Sequence, residues 1–239
     1  MEIGHVEAIF RYPVKSMGGE RLDAATLGWH GVDGDRRLAL RRLDDRGGFP
    51  WLTAGRLPDL LRFTPTRVAG AGEEEVPTHV RTPEGDLLPV FGEALAADIG
   101  RRHKAPVQMM HLRHGVFDDA TVSVIATDTV DEIGRLAELN SDVRRFRPNV
   151  LVRLRDTGPF HENAWVGRVL SFGAEAGAPS IAVTMPDIRC AMVNFDPDSA
   201  VASPAVMRAV VRANDNTAGI YGTVIRAGRL AVGQTIHLG

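Results

Sequence analysis

The sequence contains a single cysteine, Cys190, in 239 residues. One thiol excludes an intrachain disulfide and an iron–sulfur cluster held by four thiolates. The chain is therefore not expected to be a disulfide-rich secreted protein, and a reducing cytoplasm is its expected location. Residues 1–16 carry charges and no long apolar core, so they are predicted to form neither a signal peptide nor a transmembrane anchor.

Lysine is almost absent as well. Only Lys15 and Lys104 stand beside 26 arginines, and the net charge is −2. This balance gives no general reason to bind nucleic acid or an acidic membrane, so neither is expected as a partner. Against such a preference for arginine, a lysine can mark a position where a compact ammonium group is needed. Chance is an equally good explanation for Lys104.

The common nucleotide and hydrolase signatures are also missing. The chain has no GxGxxG after a strand, no Walker loop and no GxSxG elbow. The eight histidines are scattered. His111 and His114 lie three residues apart, but on a predicted passage from strand to loop, so no zinc site is predicted.

The first 90 residues have the pattern of an all-β unit. Apolar content of 44% and charged content of 24% are typical of a soluble globular chain, long enough for one large or two small domains. Short strands are predicted from His5 onward, and Pro83-Glu84-Gly85 predicts a hairpin. The glycine- and glutamate-rich stretch Val68–Val76 is predicted to be a surface loop. A short helix is expected at 93–101.

The remaining residues alternate strands with two helices. A strand is predicted at 121–126, followed by a helix with a capping box formed by Thr129 and Glu132. Ser203-Pro204 predicts the start of a second helix, with serine as the cap. The last strands, separated by a turn at Gly228, favour a β-barrel. The predicted fold class is mainly β, with β-barrels and peripheral helices.

Cys190 is the first candidate for chemistry. It follows Arg189 and precedes the polar turn at Asp196-Pro197-Asp198. A neighbouring guanidinium favours the thiolate, which is the form that acts as a nucleophile or binds a soft metal. Taken alone, a single cysteine is more often a small buried apolar residue. That alternative stays open at this point.

Three further segments place polar residues beside proline or glycine at predicted strand ends. Four cations, three of them in these segments and the fourth beside Cys190, would together suit an anion, and two neutral side chains add hydrogen bonds. The cations are Lys15, Arg36, Arg147 and Arg189, and the neutral side chains are Ser16 and Asn149. Taken singly, each arginine is more typical of a solvated surface charge.

Several motifs in a fixed order resemble a known family. They are YPVKS near the N-terminus, GDR before a strand, FRPN before an apolar strand, RC followed by DPD, and a terminal YG…G…VGQTIHL. The chain resembles MOSC proteins, the family named after the C-terminal domain of molybdenum cofactor sulfurase. Residues 1–90 resemble its N-terminal β-barrel domain, and 91–239 resemble the MOSC domain itself. The resemblance is strongest to the amidoxime-reducing component and its bacterial relatives.

This resemblance implies a molybdenum–molybdopterin cofactor and a function as a reductase of small N-hydroxylated compounds. Cys190 is then the catalytic metal ligand. The cofactor would be bound by Lys15, Ser16, Arg36, Arg147, Asn149 and Arg189. Two alternatives remain: a sulfur-carrier or non-catalytic MOSC protein with Cys190 as a persulfide site, and a simple module that binds an anionic ligand.

The sequence departs from these relatives in three places. Met17 stands where relatives often have another cysteine, and Ala126-Thr127 stands where a cofactor-contacting serine is expected. No ferredoxin-like extension is expected after Gly239, because a single cysteine could not hold its cluster. Electrons are therefore expected to come from a separate donor protein.

Overall fold

The computed structural model describes residues 1–67, 76–156 and 158–239. The predicted surface loop at Val68–Val76 lies, except for its last residue, outside the described residues. The helices are α1 (Glu93–His103), α2 (Thr127–Ala137) and α3 (Ala205–Asn214). The strands are β1 (Glu2–Arg11), β2 (Glu20–Leu22), β3 (Ala24–Gly28), β4 (Gly31–Val32), β5 (Leu38–Arg42), β6 (Thr64–Thr66), β7 (His79–Arg81), β8 (Leu87–Pro89), β9 (Val107–His111), β10 (Val122–Ala126), β11 (Val150–Leu154), β12 (Val169–Phe172), β13 (Ser180–Ile188), β14 (Thr217–Arg226), β15 (Gly228–Ala231) and β16 (Thr235–Leu238).

Seven strands form a closed barrel in the order β1-β11-β10-β14-β13-β12-β16, and β16 returns to β1. The N-terminal strand closes the ring, because Val6 pairs with Val152 on one side and His5 with Thr235 on the other. All neighbours are antiparallel except β10 and β11, whose parallel pairing requires the crossover that α2 supplies. The mainly β fold class with peripheral helices is confirmed.

The barrel interior is filled by β-branched and other apolar side chains that contribute from every strand. Val6, Val124, Val152 and Ile220 are fully buried in this core. Each such side chain stabilises the fold by about 1.5–3 kcal/mol relative to an exposed position. Outside the barrel, α2 and α3 pack on each other and on β11 and β14, and Ile133 and Val210 are buried there.

A second apolar core lies beside the barrel. It is enclosed by the pair β5–β9, the sheet β6-β7-β8 and α1, and its buried residues run from Val14 to Met109. The boundary at residue 90 stays a prediction. Strand pairing and packing both cross it, because β1 belongs to the barrel and the second core continues to Met109.

Most predicted elements are present, and the differences concern helix starts and one strand. The hairpin around Pro83-Glu84-Gly85 is confirmed as β7–β8. The capping box is wrong: α2 begins at Thr127, and the Thr129 hydroxyl inside the helix donates to Glu162. At α3 the cap position is Pro204 and no side chain caps the helix. The turn at Gly228 is the start of β15, which pairs with β3.

The chain first passes from the barrel to the second core in the segment that follows β1. Val14 forms a parallel bridge with Leu38, and the Lys15 amide donates to the Leu38 carbonyl at 2.8 Å. Proline at position 13 cannot continue a strand ladder, so the chain turns away from the barrel here. Lys15 and Ser16 are thereby placed at the junction of the two cores.

Candidate functional site

A cleft of about 470 Å³ lies where the two cores meet. Its walls come from distant parts of the chain: the segment after β1, the turns before β5 and β11, the loop between β9 and β10, and the end of β13. The lining residues that carry charge or a thiol are Lys15, Arg36, Asp118, Asp119, Arg145, Arg147, Asp187, Arg189 and Cys190. The structure therefore brings together five of the six predicted cofactor-binding residues with the predicted metal ligand.

Lys15 reaches the cleft from a tight turn. Ser16 has φ +68°, a left-handed conformation that is uncommon for a residue with a side chain and holds the turn in one shape. Lys15 is 5% exposed, and its ammonium group donates to Asp118 at 2.7 Å. Partial burial would raise the pKa of Asp118, but Lys15 lowers it below its usual range. The ammonium is thus held at the cleft wall and not extended into solvent.

Arg36 is held by a buried carboxylate. Asp35 is fully buried, accepts from the Tyr12 amide at 2.7 Å and pairs with the Arg36 guanidinium. Arg36 also donates to the Arg147 carbonyl at 3.0 Å. Burial alone would lower the pKa of Arg36, but the charge of Asp35 raises it overall, so the guanidinium stays charged.

Arg147 carries the strongest signal for a ligand. It is 9% exposed, donates through Nη1 to the Met17 carbonyl at 2.6 Å, and lies over the Tyr12 ring at 4.1 Å. Within the described part of the chain, its Nη2 is buried and has no hydrogen-bond partner. Burial lowers the pKa of Arg147 to about 10, so it is still a cation at neutral pH. A buried donor without an acceptor is costly, and an anion in the cleft would supply one.

Cys190 is exposed, whereas Lys15 and Arg147 are buried. Its side chain is exposed, and its residue is the cap of a short 3₁₀ turn, Ala191–Asn194. The alternative that it is a buried, packed thiol is therefore wrong. Cys190 lines the cleft and is exposed, so its thiol is accessible to a molecule there.

Arg189 fixes the backbone beside Cys190. It donates to the Ala218 carbonyl at 2.8 Å through Nε and to the Phe146 carbonyl at 2.7 Å, and it forms an ion pair with Asp187 at 2.6 Å. Next to Ala218, Gly219 has φ +82°, and a Cβ there would lie 2.6 Å from the Val124 carbonyl. Glycine thus allows β14 to bend where Arg189 attaches. Because its donors are used by the protein, Arg189 is a supporting residue of the cleft wall.

The structure does not bring Asn149 into the cleft. Its side chain is buried, accepts from the Ser123 amide at 3.1 Å, and donates to the Phe10 carbonyl at 3.4 Å. It therefore joins β1 to β10 at the point where β11 begins. A cofactor contact for Asn149 stays a prediction to which this geometry adds no support.

Sequence reasoning missed several residues of the cleft, among them Asp118, Asp187 and Tyr221. The pair Asp118-Asp119 before a β-rich strand was a usable signal for the first of them. Asp187 precedes Cys190 by three residues, but only the fold shows that it is buried. Tyr221 enters the cleft from β14, and burial, followed by the charge of Asp187, raises the pKa of its hydroxyl.

The arrangement suits an anionic group at one end and a soft metal at the thiol. In the described ranges, no cluster of three or more histidine, cysteine or carboxylate side chains could hold a metal ion by itself. A metal at Cys190 would therefore need most of its ligands from a cofactor. The unpartnered Nη2 of Arg147, together with Lys15 and Arg36, fits the phosphate of such a cofactor.

Replacing Asp35 by alanine is expected to destabilise the protein by about 3–5 kcal/mol, because it leaves the Arg36 guanidinium and the Tyr12 amide without their buried acceptor. Unfolding in urea measures this change. The matched control is Glu132→Ala, which breaks an exposed pair with Arg135 on α2 and is expected to leave the midpoint nearly unchanged. Equal midpoints for the two variants would contradict the role assigned to Asp35.

None of the helices in residues 1–67, 76–156 and 158–239 is long and apolar enough to cross a membrane. No curated protein matches the sequence. Among solved structures, the YuaD protein from Bacillus subtilis is similar over 99% of this chain and 95% of its own, with 14% identity and a TM-score of 0.52. YiiM from Geobacillus stearothermophilus matches 50% of this chain and 54% of its own, with 14% identity and a TM-score of 0.39. The similarity to YuaD supports the fold alone.

Two family models cover almost the whole chain. The model of the MOSC N-terminal beta barrel domain matches residues 3–130, and the model of the MOSC domain matches residues 110–237. Their overlap spans the loop and strand between β9 and α2, which the cleft and the barrel share. Each match includes more than half of the sequence. The chain therefore belongs to the MOSC family and combines its N-terminal beta barrel domain with the MOSC domain.

Proposed function

We propose that this protein binds a molybdenum–molybdopterin cofactor in the cleft and reduces small N-hydroxylated compounds, with Cys190 as a ligand of the metal. MOSC domains are associated with the molybdenum cofactor, and membership of the family supports the coarser part of this proposal. The observation that carries the finer part is the buried, unpartnered Nη2 of Arg147 in a cleft that also exposes the only thiol of the chain.

Three cations would hold the phosphate of the cofactor. Lys15 and Arg36 are already oriented by carboxylates, and Arg147 is oriented by the Met17 carbonyl and the Tyr12 ring. Because these partners fix the side chains before a ligand arrives, little conformational entropy is lost on binding. A phosphate would give Nη2 of Arg147 its missing acceptor through a charge-assisted hydrogen bond.

The cofactor supplies the two-electron chemistry, and the protein supplies orientation and environment. Cys190 offers the soft sulfur ligand that molybdenum accepts readily. Arg189 fixes the backbone on one side of Cys190 by its three contacts, and the turn Ala191–Asn194 fixes the other. Tyr221 and the buried Asp187 place polar groups along the wall where a small substrate would lie.

A separate protein is proposed as the electron donor, and the cytoplasm as the compartment, on the cysteine usage set out above. A small N-hydroxylated molecule remains the proposed substrate class. Neither nucleic acid nor a membrane is proposed as a partner, in keeping with the net charge of −2.

The second candidate is a sulfur carrier with a persulfide on Cys190. The exposure of the thiol favours it, because a carrier must present its sulfur to an acceptor. In this case no metal is needed, and the cations around Arg147 would bind an anionic ligand of another kind.

Metal and pterin analysis separates the two candidates. Protein purified from a host that makes the cofactor is expected to contain about one molybdenum and one pterin per chain, and to reduce an amidoxime with an artificial electron donor. The control is the same protein from a host that lacks the pterin pathway. Protein that lacks both metal and pterin despite a full supply, and carries a +32 Da adduct on Cys190, would favour the carrier.

A further inference from the structure

Asp187 is a buried carboxyl group of the cleft, and the residues that the structure describes form polar contacts with only one of its two oxygens. It lies near the end of β13, three residues before Cys190, and is 1% exposed. Its Oδ2 accepts from the Ser123 hydroxyl at 2.7 Å and forms an ion pair with the Arg189 guanidinium at 2.6 Å. Among the described residues no hydrogen bond reaches Oδ1. That oxygen is therefore the one available to a molecule in the cleft.

The surroundings of Asp187 raise its pKa toward neutral pH, so a larger fraction of it is protonated there than for an ordinary aspartate. Burial raises its pKa to about 6, against the opposing effects of Arg189, the Ser123 hydrogen bond and Arg36. Asp118 raises it further, and the Tyr221 hydroxyl faces it from β14. Arg189 lowers the pKa only in part, because its guanidinium also donates to the Ala218 and Phe146 carbonyls. An acid with a pKa close to the working pH is the most effective proton donor.

Reduction of an N-hydroxyl group needs such a donor. The reaction consumes two electrons and two protons and converts R–NH–OH into R–NH₂ and water. As the N–O bond breaks, the oxygen must gain a proton, since hydroxide is a poor leaving group in a buried cleft. The two electrons, supplied by the external donor protein or an artificial donor, end on nitrogen, which takes its own proton from solvent.

We propose that Asp187 delivers the proton to the leaving oxygen of the substrate, while Ser123 and Arg189 hold its carboxyl group in place. This inference rests on the proposed function. Asp187 is reprotonated from solvent after water leaves. Asp118 does not share this task, because Lys15 binds it at 2.7 Å and keeps its pKa low.

The test compares Asp187→Asn with Glu162→Gln in molybdenum-loaded protein. Glu162 is the matched control: it is fully buried, burial raises its pKa, and it accepts from Thr129 at 2.9 Å outside the cleft. Turnover of benzamidoxime with a reduced viologen dye is measured per molybdenum from pH 5 to 8. In parallel, infrared spectra of the substrate-free protein follow the carboxylic C=O band over the same range.

Wild-type turnover is expected to fall as pH rises through about 6, because the protonated acid is the active form. Asp187→Asn is expected to lower kcat by about 10²–10⁴-fold, with KM little changed, and to remove this limb of the profile. It should also remove one C=O band that titrates near pH 6. Glu162→Gln should keep both features.

An unchanged pH profile or an unchanged infrared titration in Asp187→Asn overturns the inference. If that variant does not load molybdenum, Asp187→Glu takes its place, and its titrating band must shift relative to wild type. Failure of the proposed function is a separate result: the wild type itself would then lack molybdenum or turnover, whatever the infrared titration of Asp187.

Discussion

Replacing Cys190 by serine is expected to abolish reductase turnover while leaving pterin binding intact. Serine exchanges a soft sulfur for a hard hydroxyl that is not deprotonated at neutral pH, so the electronic state of the metal changes. Loss of an outer-shell partner costs up to about 100-fold in activity, and loss of the ligand itself is expected to cost more than that. The phosphate contacts proposed for Lys15, Arg36 and Arg147 are expected to remain, because the protein contacts that orient these cations do not involve the thiol.

The measurement is turnover of an amidoxime per folded molecule, together with pterin content and the molybdenum electron paramagnetic resonance signal. Because Cys190 is exposed, serine is not expected to lower the free energy of unfolding noticeably. A lower stability therefore cannot account for the loss. Turnover equal to that of wild type would disprove the role of Cys190 as the ligand.

Replacing Lys15 by glutamate is expected to empty the cleft of cofactor. The variant places a carboxylate at a buried position beside Asp118, where it repels both Asp118 and an incoming phosphate. A charge-assisted contact is worth about 1.5–3 kcal/mol, which corresponds to about 10- to 150-fold in affinity, and charge reversal costs more. Pterin released from purified protein of equal folded content measures occupancy.

The chain offers one matched control, its other lysine. Lys104 lies at the end of α1 with φ +63° and is exposed, away from the cleft lining. Lys104→Glu is expected to keep full occupancy. Lys15→Gln, which removes the charge without reversing it, should fall between the two. Equal pterin content in Lys15→Glu and Lys104→Glu would contradict a phosphate contact for Lys15.

The fold class could be predicted from the sequence because the patterns that indicate its strands and turns are local. Alternation of apolar residues, the turn at Pro83-Glu84-Gly85 and the short apolar run at the start of β11 each predict an element from a few neighbouring residues. The closure of the barrel could not be predicted in this way. It depends on the pairing of Val6 with Val152, which are far apart in sequence and have no local signal that joins them.

The residues of the site also differ in whether a local sequence signal predicts them. The segments that hold Lys15, Ser16, Arg36 and Arg147 were visible in the sequence because each contains or precedes a proline or glycine at a predicted strand end. In the structure, Ser16, Arg36 and Arg147 have positive φ. Cys190 was visible as the only thiol. The roles of Asp187 and Asn149 were not visible, because they depend on burial. Asp187 is buried in the cleft wall, whereas the Asn149 side chain forms hydrogen bonds with the backbone of β1 and β10.

The ion pairs within the cleft could also be identified only from the structure. Asp118 is 103 residues from Lys15 in sequence, and Asp187 is buried only because β10, β13 and β14 meet beside it. No spacing rule joins such residues. For this reason the sequence predicted the cations of the cleft but not the carboxylates that orient them.

X-ray absorption at the molybdenum edge tests the central claim most directly, namely that the metal lies at Cys190 in this cleft. Wild-type protein purified from a cofactor-producing host is expected to have molybdenum with sulfur neighbours from the dithiolene and one further sulfur. In Cys190→Ser, with its pterin still bound, the sulfur count is expected to fall by about one. The same number of sulfur neighbours in both proteins, or no molybdenum in the wild type, would contradict the account.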